Sequence, residues 1–112
     1  MVIKEIEAIQ LNMRYKPDLE ACILRSGLRS TNGVVTLYRV ELNDGIVGYG
    51  DATGSPDDVT GYIGHDAFTA LKHIPHGGVQ MALFDAVGKV LDEPAHVLMG
   101  RQVRDQVPFA YW

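Results

Sequence analysis

At 112 residues the chain has room for about one domain, and with 46% hydrophobic and 21% charged residues its composition is globular rather than disordered or collagenous. A formal net charge of -4 leaves no electrostatic case for nucleic acid, and a single cysteine, Cys22, excludes an internal disulfide. No apolar run approaches the ~18 residues needed to span a bilayer, and MVIKEIEAIQ lacks a signal-peptide core, so the expected location is the cytoplasm, away from membranes.

Residues 2–13, VIKEIEAIQLNM, read as a strand rich in Ile and Val, with imperfect alternation. In VVTLYRVEL, residues 34–42, Val34, Thr36, Tyr38, Val40 and Leu42 share one face, with Arg39 and Glu41 on the other. That is the period of a half-buried strand. Asn43, Asp44 and Gly45 supply a tight turn, and Ile46 to Gly50 return as a third strand. About twenty residues, RYKPDLEACILRSGLRSTNG, separate the first two strands and read as a long loop; loops of that length are usually functional. It carries Tyr15, Lys16, Arg25 and Arg29. A second glycine-rich stretch, GYGDATGSPDDVTGYIG, follows the third strand.

The remainder is predicted helical. His65 to Lys72 form a short helix, and in residues 78–93 Val79, Leu83, Ala86, Val87 and Val90 recur at helical spacing. Asp85 and Lys89 make an i,i+4 pair, Pro94 ends the helix, and AHVLMG adds a turn before Gly100, a C-cap. The chain closes on QVPFAYW, residues 106–112, an apolar strand with no neighbour in sight. The class is α+β: a three-stranded antiparallel meander, a small helical bundle, and a terminal strand.

Candidate chemistry is sparse. His73 and His76 in HIPH match no zinc spacing and read as surface or capping residues. GYGDATG departs from a dinucleotide loop because Thr53 replaces its third glycine and no helix opens behind it. Its glycines instead permit close backbone approach. Cys22 reads as a small buried apolar residue, and Asp85 as a carboxylate held by a neighbouring cation or amide. No nucleophile with an activator and no ligand triad assembles, so the chain alone has no catalytic and no metal residues.

VTLYRVELNDGIVGYGDATG and MALFDAVGKVLDEPAHVLMGRQVRDQVPFAYW together resemble the N-terminal capping domain of enolase-superfamily enzymes, in the group of mandelate racemase and muconate lactonizing enzyme. The resemblance rests on Ala82, Leu83, Phe84, Asp85, Gly88 and Lys89, then Pro94, Leu98, Gly100, Arg104, Val107 and Pro108. It implies a capping domain over residues 1–105, with 106–112 as the first strand of a (β/α) barrel whose other strands lie outside this sequence. It also implies an isomerase or lyase that abstracts the proton α to a carboxylate, with magnesium held by barrel residues, and a small carboxylate substrate. Loops 14–32 and 51–61 would be the lid, with Tyr15, Lys16, Arg25, Arg29 and Thr53 touching substrate. Asp51 stands where the family commonly has glutamate, and Ser55 to Met81 is shorter than the family's multi-helix stretch, so a helix there is missing or reduced. Racemisation, epimerisation, cycloisomerisation and dehydration remain open, as does a homo-oligomer. The rival reading is a stand-alone α+β interaction module whose C-terminal strand augments a partner's sheet.

Overall fold

The computed structural model describes residues 1–27 and 32–109. Strand β1 (Ile3–Arg14) pairs antiparallel with β2 (Asn32–Leu42), which pairs antiparallel with β3 (Val47–Thr53), giving the order β1-β2-β3. Between β1 and β2 lies helix α1 (Pro17–Arg25). After β3 come a 3-10 turn (Thr60–Tyr62) and helices α2 (Ala67–Ala70), α3 (Gly77–Leu91) and α4 (Ala95–Leu98). The α+β meander and helical layer agree with the sequence reading. The helical part after β3 is one long helix flanked by two single turns.

The imperfect alternation of β1 has a cause. The register slips between Ile3 and Glu5, where Ile3 faces Leu42 but Glu5 faces Glu41. A bulge reverses which side chains point inward. Buried Ile3 and half-buried Ile6 therefore reach the same core despite their odd spacing. At the other end of the meander, Gly45 N–H donates to the Leu42 carbonyl at 2.9 Å and closes the β2–β3 turn with φ +84°. β3 continues three residues past the expected end at Gly50.

Tyr38, Val40 and Leu42 of β2 meet Val79, Leu83, Ala86 and Val87 of α3 in the core, all essentially inaccessible. The closest packing is on β3. Gly48 and Gly50 both point at α3, and a Cβ on either would collide with helix backbone. On Gly48 it would lie 2.6 Å from the Ala86 nitrogen, and on Gly50 2.6 Å from the Ala82 nitrogen. α3 presents Gly78, Ala82 and Ala86 at four-residue intervals to this edge, so no long side chain separates helix from strand. The two glycines thus serve helix packing.

The exposed edge of β3 is then sealed by side chains. Asp85 Oδ2 accepts from the Tyr49 N–H at 2.9 Å, and Lys89 Nζ donates to the Val47 carbonyl at 2.8 Å and to Asp85 Oδ2 at 2.7 Å. Lys89 also sits 5.7 Å from the centre of the Tyr49 ring. One carboxylate and one ammonium stand in for a fourth strand, satisfying backbone groups that would otherwise offer an edge for pairing. Asp85 is therefore held by a cation and an amide, as expected.

One expectation fails here. Cys22 is exposed rather than buried, because α1 buries none of its residues. The terminal apolar stretch joins no strand over residues 106–109, where Phe109 is 91% exposed. The rest of it, residues 110–112, lies outside the described residues. A lone segment without neighbours has no donors or acceptors to extend against.

Gly50→Ala is expected to lower stability by about 1–3 kcal/mol, since helix and strand must separate to admit the methyl group. Gly61→Ala, where a Cβ meets nothing within 4 Å, should change it by less than ~0.5 kcal/mol. Urea unfolding of the two variants measures the contrast. A second prediction concerns the outer sheet face, where Glu41 accepts from Lys4 at 2.6 Å and from Arg39 at 2.8 Å. These bonds, Lys4's first, hold the Glu41 carboxyl below its usual value. A depressed folded value contributes stability above the unfolded carboxylate range that is lost as pH falls through the folded one. Glu41→Gln should therefore flatten the acid limb of stability against pH, and an unaltered limb would contradict this.

Candidate functional site

Antiparallel pairing makes β1 and β3 run the same way, so both end at one end of the sheet. Arg14 and Thr53 are their last residues, and the two stretches expected to form a lid depart from there. That end is the candidate site. Thr53 pairs with Val35, which pairs on its other side with Leu11. Tyr15 is four residues further along the chain, roughly 13 Å at strand rise. Tyr15, Lys16 and Thr53 thus rim one sheet end without touching, and all are exposed. Arg25 is exposed on α1, and Arg29 lies outside the described residues.

The first stretch is not a structureless loop. Lys16 is the N-cap position of α1, Pro17 opens it, Asp18 and Glu20 occupy its first turn and Arg25 its last. Ser26 Oγ donates to the Ile23 carbonyl at 2.7 Å, and Gly27 follows with φ +83°. Proline at the first position, acids at the start, a base at the end and a terminal glycine are helix signals legible in KPDLEACILRSG. They are local, and the helix they make has almost nothing to pack against: Leu19 and Leu24 are exposed.

The second stretch is tied down. Gly54 N–H donates to the Val34 carbonyl at 2.8 Å, and buried Thr36 donates its hydroxyl to the Gly54 carbonyl at 2.8 Å. Asp57 N–H donates to the Tyr38 hydroxyl oxygen at 3.2 Å, and Asp57 Oδ2 meets His76 Nε2 at 3.2 Å. Asp58 receives the Thr60 hydroxyl at 2.6 Å and the Thr60 N–H at 3.1 Å, which holds its carboxyl below the usual value. Val59, in turn, is buried in the core. Thr36, Tyr38 and His76 thus position this loop. The strand alternation marks the first two only as core-facing, and HIPH marks His76 only as a capping candidate.

Chemistry elsewhere is limited. Among the described residues no three His, Cys, Asp or Glu side chains stand close enough to hold a metal ion. Among the described residues no helix is long and apolar enough to cross a membrane. A cavity of about 310 Å³ between Tyr62, His65, Thr69, His73 and Ile74 lies at the opposite end of the sheet, where Asp66 caps α2 and pairs with the Met1 amine. It contains none of the residues expected to touch substrate.

No family model matches the chain. A chloromuconate cycloisomerase from Cupriavidus pinatubonensis is 53% identical over 34 residues, which are 30% of this chain and 9% of that protein. A solved muconate lactonizing enzyme from Pseudomonas putida superposes with a TM-score of 0.62 at 24% identity, covering 94% of this chain and 34% of that one. One from Pseudomonas fluorescens, solved in complex with muconolactone, superposes at 0.63 and 26% identity, covering 93% and 35%. The chain therefore spans about a third of the length of these structures. In fold, over nearly all of its length, it is similar to the mandelate racemase and muconate lactonizing enzyme group of the enolase superfamily, consistent with an N-terminal capping domain.

Proposed function

We propose that this chain is the capping and specificity domain of a metal-dependent enolase-superfamily enzyme that abstracts the proton α to a carboxylate. The observation that carries the reading is the departure of both loop stretches from one end of a sheet braced by α3. A lid built this way excludes water over a reacting centre and strengthens the electrostatics beneath it. The substrate is a small carboxylate, and the setting is cytoplasmic. Base and metal ligands belong to a barrel, of which residues 106–112 would be the opening strand. The described residues of this chain offer no fit for magnesium, so no step through the metal is derived for them.

Within the lid, Arg25 is the residue best suited to grip an anionic or polar distal group, because a guanidinium binds a carboxylate through two parallel hydrogen bonds. Its place in the last turn of an unburied helix gives it reach. Lys16 and Tyr15 at the start of that helix, Arg29 after it and Thr53 at the end of β3 complete the proposed rim. The exposed Val103, Val107 and Phe109 suit burial against a barrel, and they equally suit augmentation of a partner's sheet by an interaction module.

In an enzyme carrying this chain with its barrel, Arg25→Ala should lower kcat/KM roughly tenfold or more for substrates with a charged distal group. Unchanged kcat/KM across a substrate panel would remove Arg25 from the lid. Recovery of the 112-residue chain as a soluble monomer with a cooperative melt would favour the interaction module instead.

A further inference from the structure

His76 occupies the N-cap position of α3, and its Nδ1 accepts the Val79 N–H at 3.2 Å. A backbone N–H can only donate, so Nδ1 carries no proton and the neutral ring must carry it on Nε2. That nitrogen lies 3.2 Å from Asp57 Oδ2. The capping bond therefore sets the tautomer, and the tautomer makes the other nitrogen a donor aimed at the loop. The ring is held edge-on against Tyr38, with centroids 4.6 Å apart, and the Tyr38 hydroxyl oxygen accepts the N–H of the same aspartate. The groups facing His76 are thus Asp57 from the loop, Tyr38 from β2 and the first-turn amides of α3.

We propose that His76 is a positioning residue, a latch that uses its capping tautomer to couple the 54–58 loop to the N-terminus of α3. Asp57 is gripped at two points, by side chain and by backbone, from two different elements. Its own carboxylate is otherwise exposed, so without the latch the loop would keep its attachment at Gly54, the bond from the Asp57 N–H to the Tyr38 hydroxyl and its anchor at Val59, but no tie to α3 through Asp57. The significance of the latch for substrate closure rests on the reading of this loop as a lid; the coupling itself does not.

His76→Asn separates capping from latching. Asparagine is among the strongest N-caps, so α3 is retained, yet its short side chain cannot reach Asp57. Amide exchange at Asp57 should quicken about tenfold, while Val79 keeps its protection. Asp57→Asn, which keeps an acceptor oxygen, should preserve protection that Asp57→Ala loses. Imidazole nitrogen resonances of the unmodified chain should show a proton on Nε2 and none on Nδ1. Unchanged Asp57 exchange in His76→Asn, or a proton on Nδ1, would overturn the latch. In the enzyme with its barrel, a raised KM in His76→Asn would support the loop as a lid. Unaltered kcat and KM alongside loosened exchange would overturn the lid reading and leave the coupling standing.

Discussion

The seating of α3 directly on β3 is the constraint from which the rest follows. Gly48 and Gly50 bring strand backbone against helix backbone at Gly78, Ala82 and Ala86, with no side chain between them. At that separation Asp85 and Lys89 can reach the outer edge of β3 and bond its Tyr49 N–H and Val47 carbonyl. Longer residues at the glycines would push the helix away, and both bonds would fail together. The packing and the polar seal are therefore one device, and they give β3 two neighbours although only one is a strand. Such an edge is stable without offering itself to other chains.

This device also decides which loop is firm. β3 is fixed against α3, and the stretch that leaves it is tied through Thr36, Tyr38 and His76 to groups that are themselves in or beside the core. Among its described residues the stretch leaving β1 has no equivalent. β1 outruns β3, so its last residues pair with a part of β2 that has no second strand beside it, and α1 beyond them buries nothing. Local stability follows buried contacts and shielded hydrogen bonds, so the first arm is expected to open at far lower free energy than the second. In the proposed capping role, one anchored wall and one loose arm would keep a fixed shape on one side of a ligand and adapt on the other.

How much of this could be read beforehand depends on which interactions are local. The β2–β3 hairpin was legible because alternation and an Asn-Asp-Gly turn are both written within a dozen residues. The ALFD..GK pattern was legible as a resemblance, but the work of Asp85 and Lys89 was not, since it needs β3 alongside α3. The bulge at Lys4 hid the inward face of β1 by changing its phase midway. α1 is signalled by Pro17, Asp18, Glu20 and Gly27, and Leu19, Cys22 and Ile23 share one of its faces; what the sequence does not reveal is that this face joins no core, which is why Cys22 is exposed rather than buried. Arg25 consequently stands on a helix and Thr53 at the end of β3 rather than in loops, while Tyr15 and Lys16 lie between β1 and α1. His76 was legible as a cap and not as a link to Asp57, nineteen residues away.

The account stands or falls on the helix acting as the missing neighbour of β3, and hydrogen exchange at the Tyr49 amide tests this most directly. Tyr49 points its N–H away from β2 toward Asp85, so it should exchange as slowly as amides inside the sheet, and removing the Asp85 carboxylate should abolish that protection at Tyr49 before any other β3 amide. Exchange at the rate of an unpaired edge amide in the unmodified chain would show that α3 does not seal the strand, and would contradict the account.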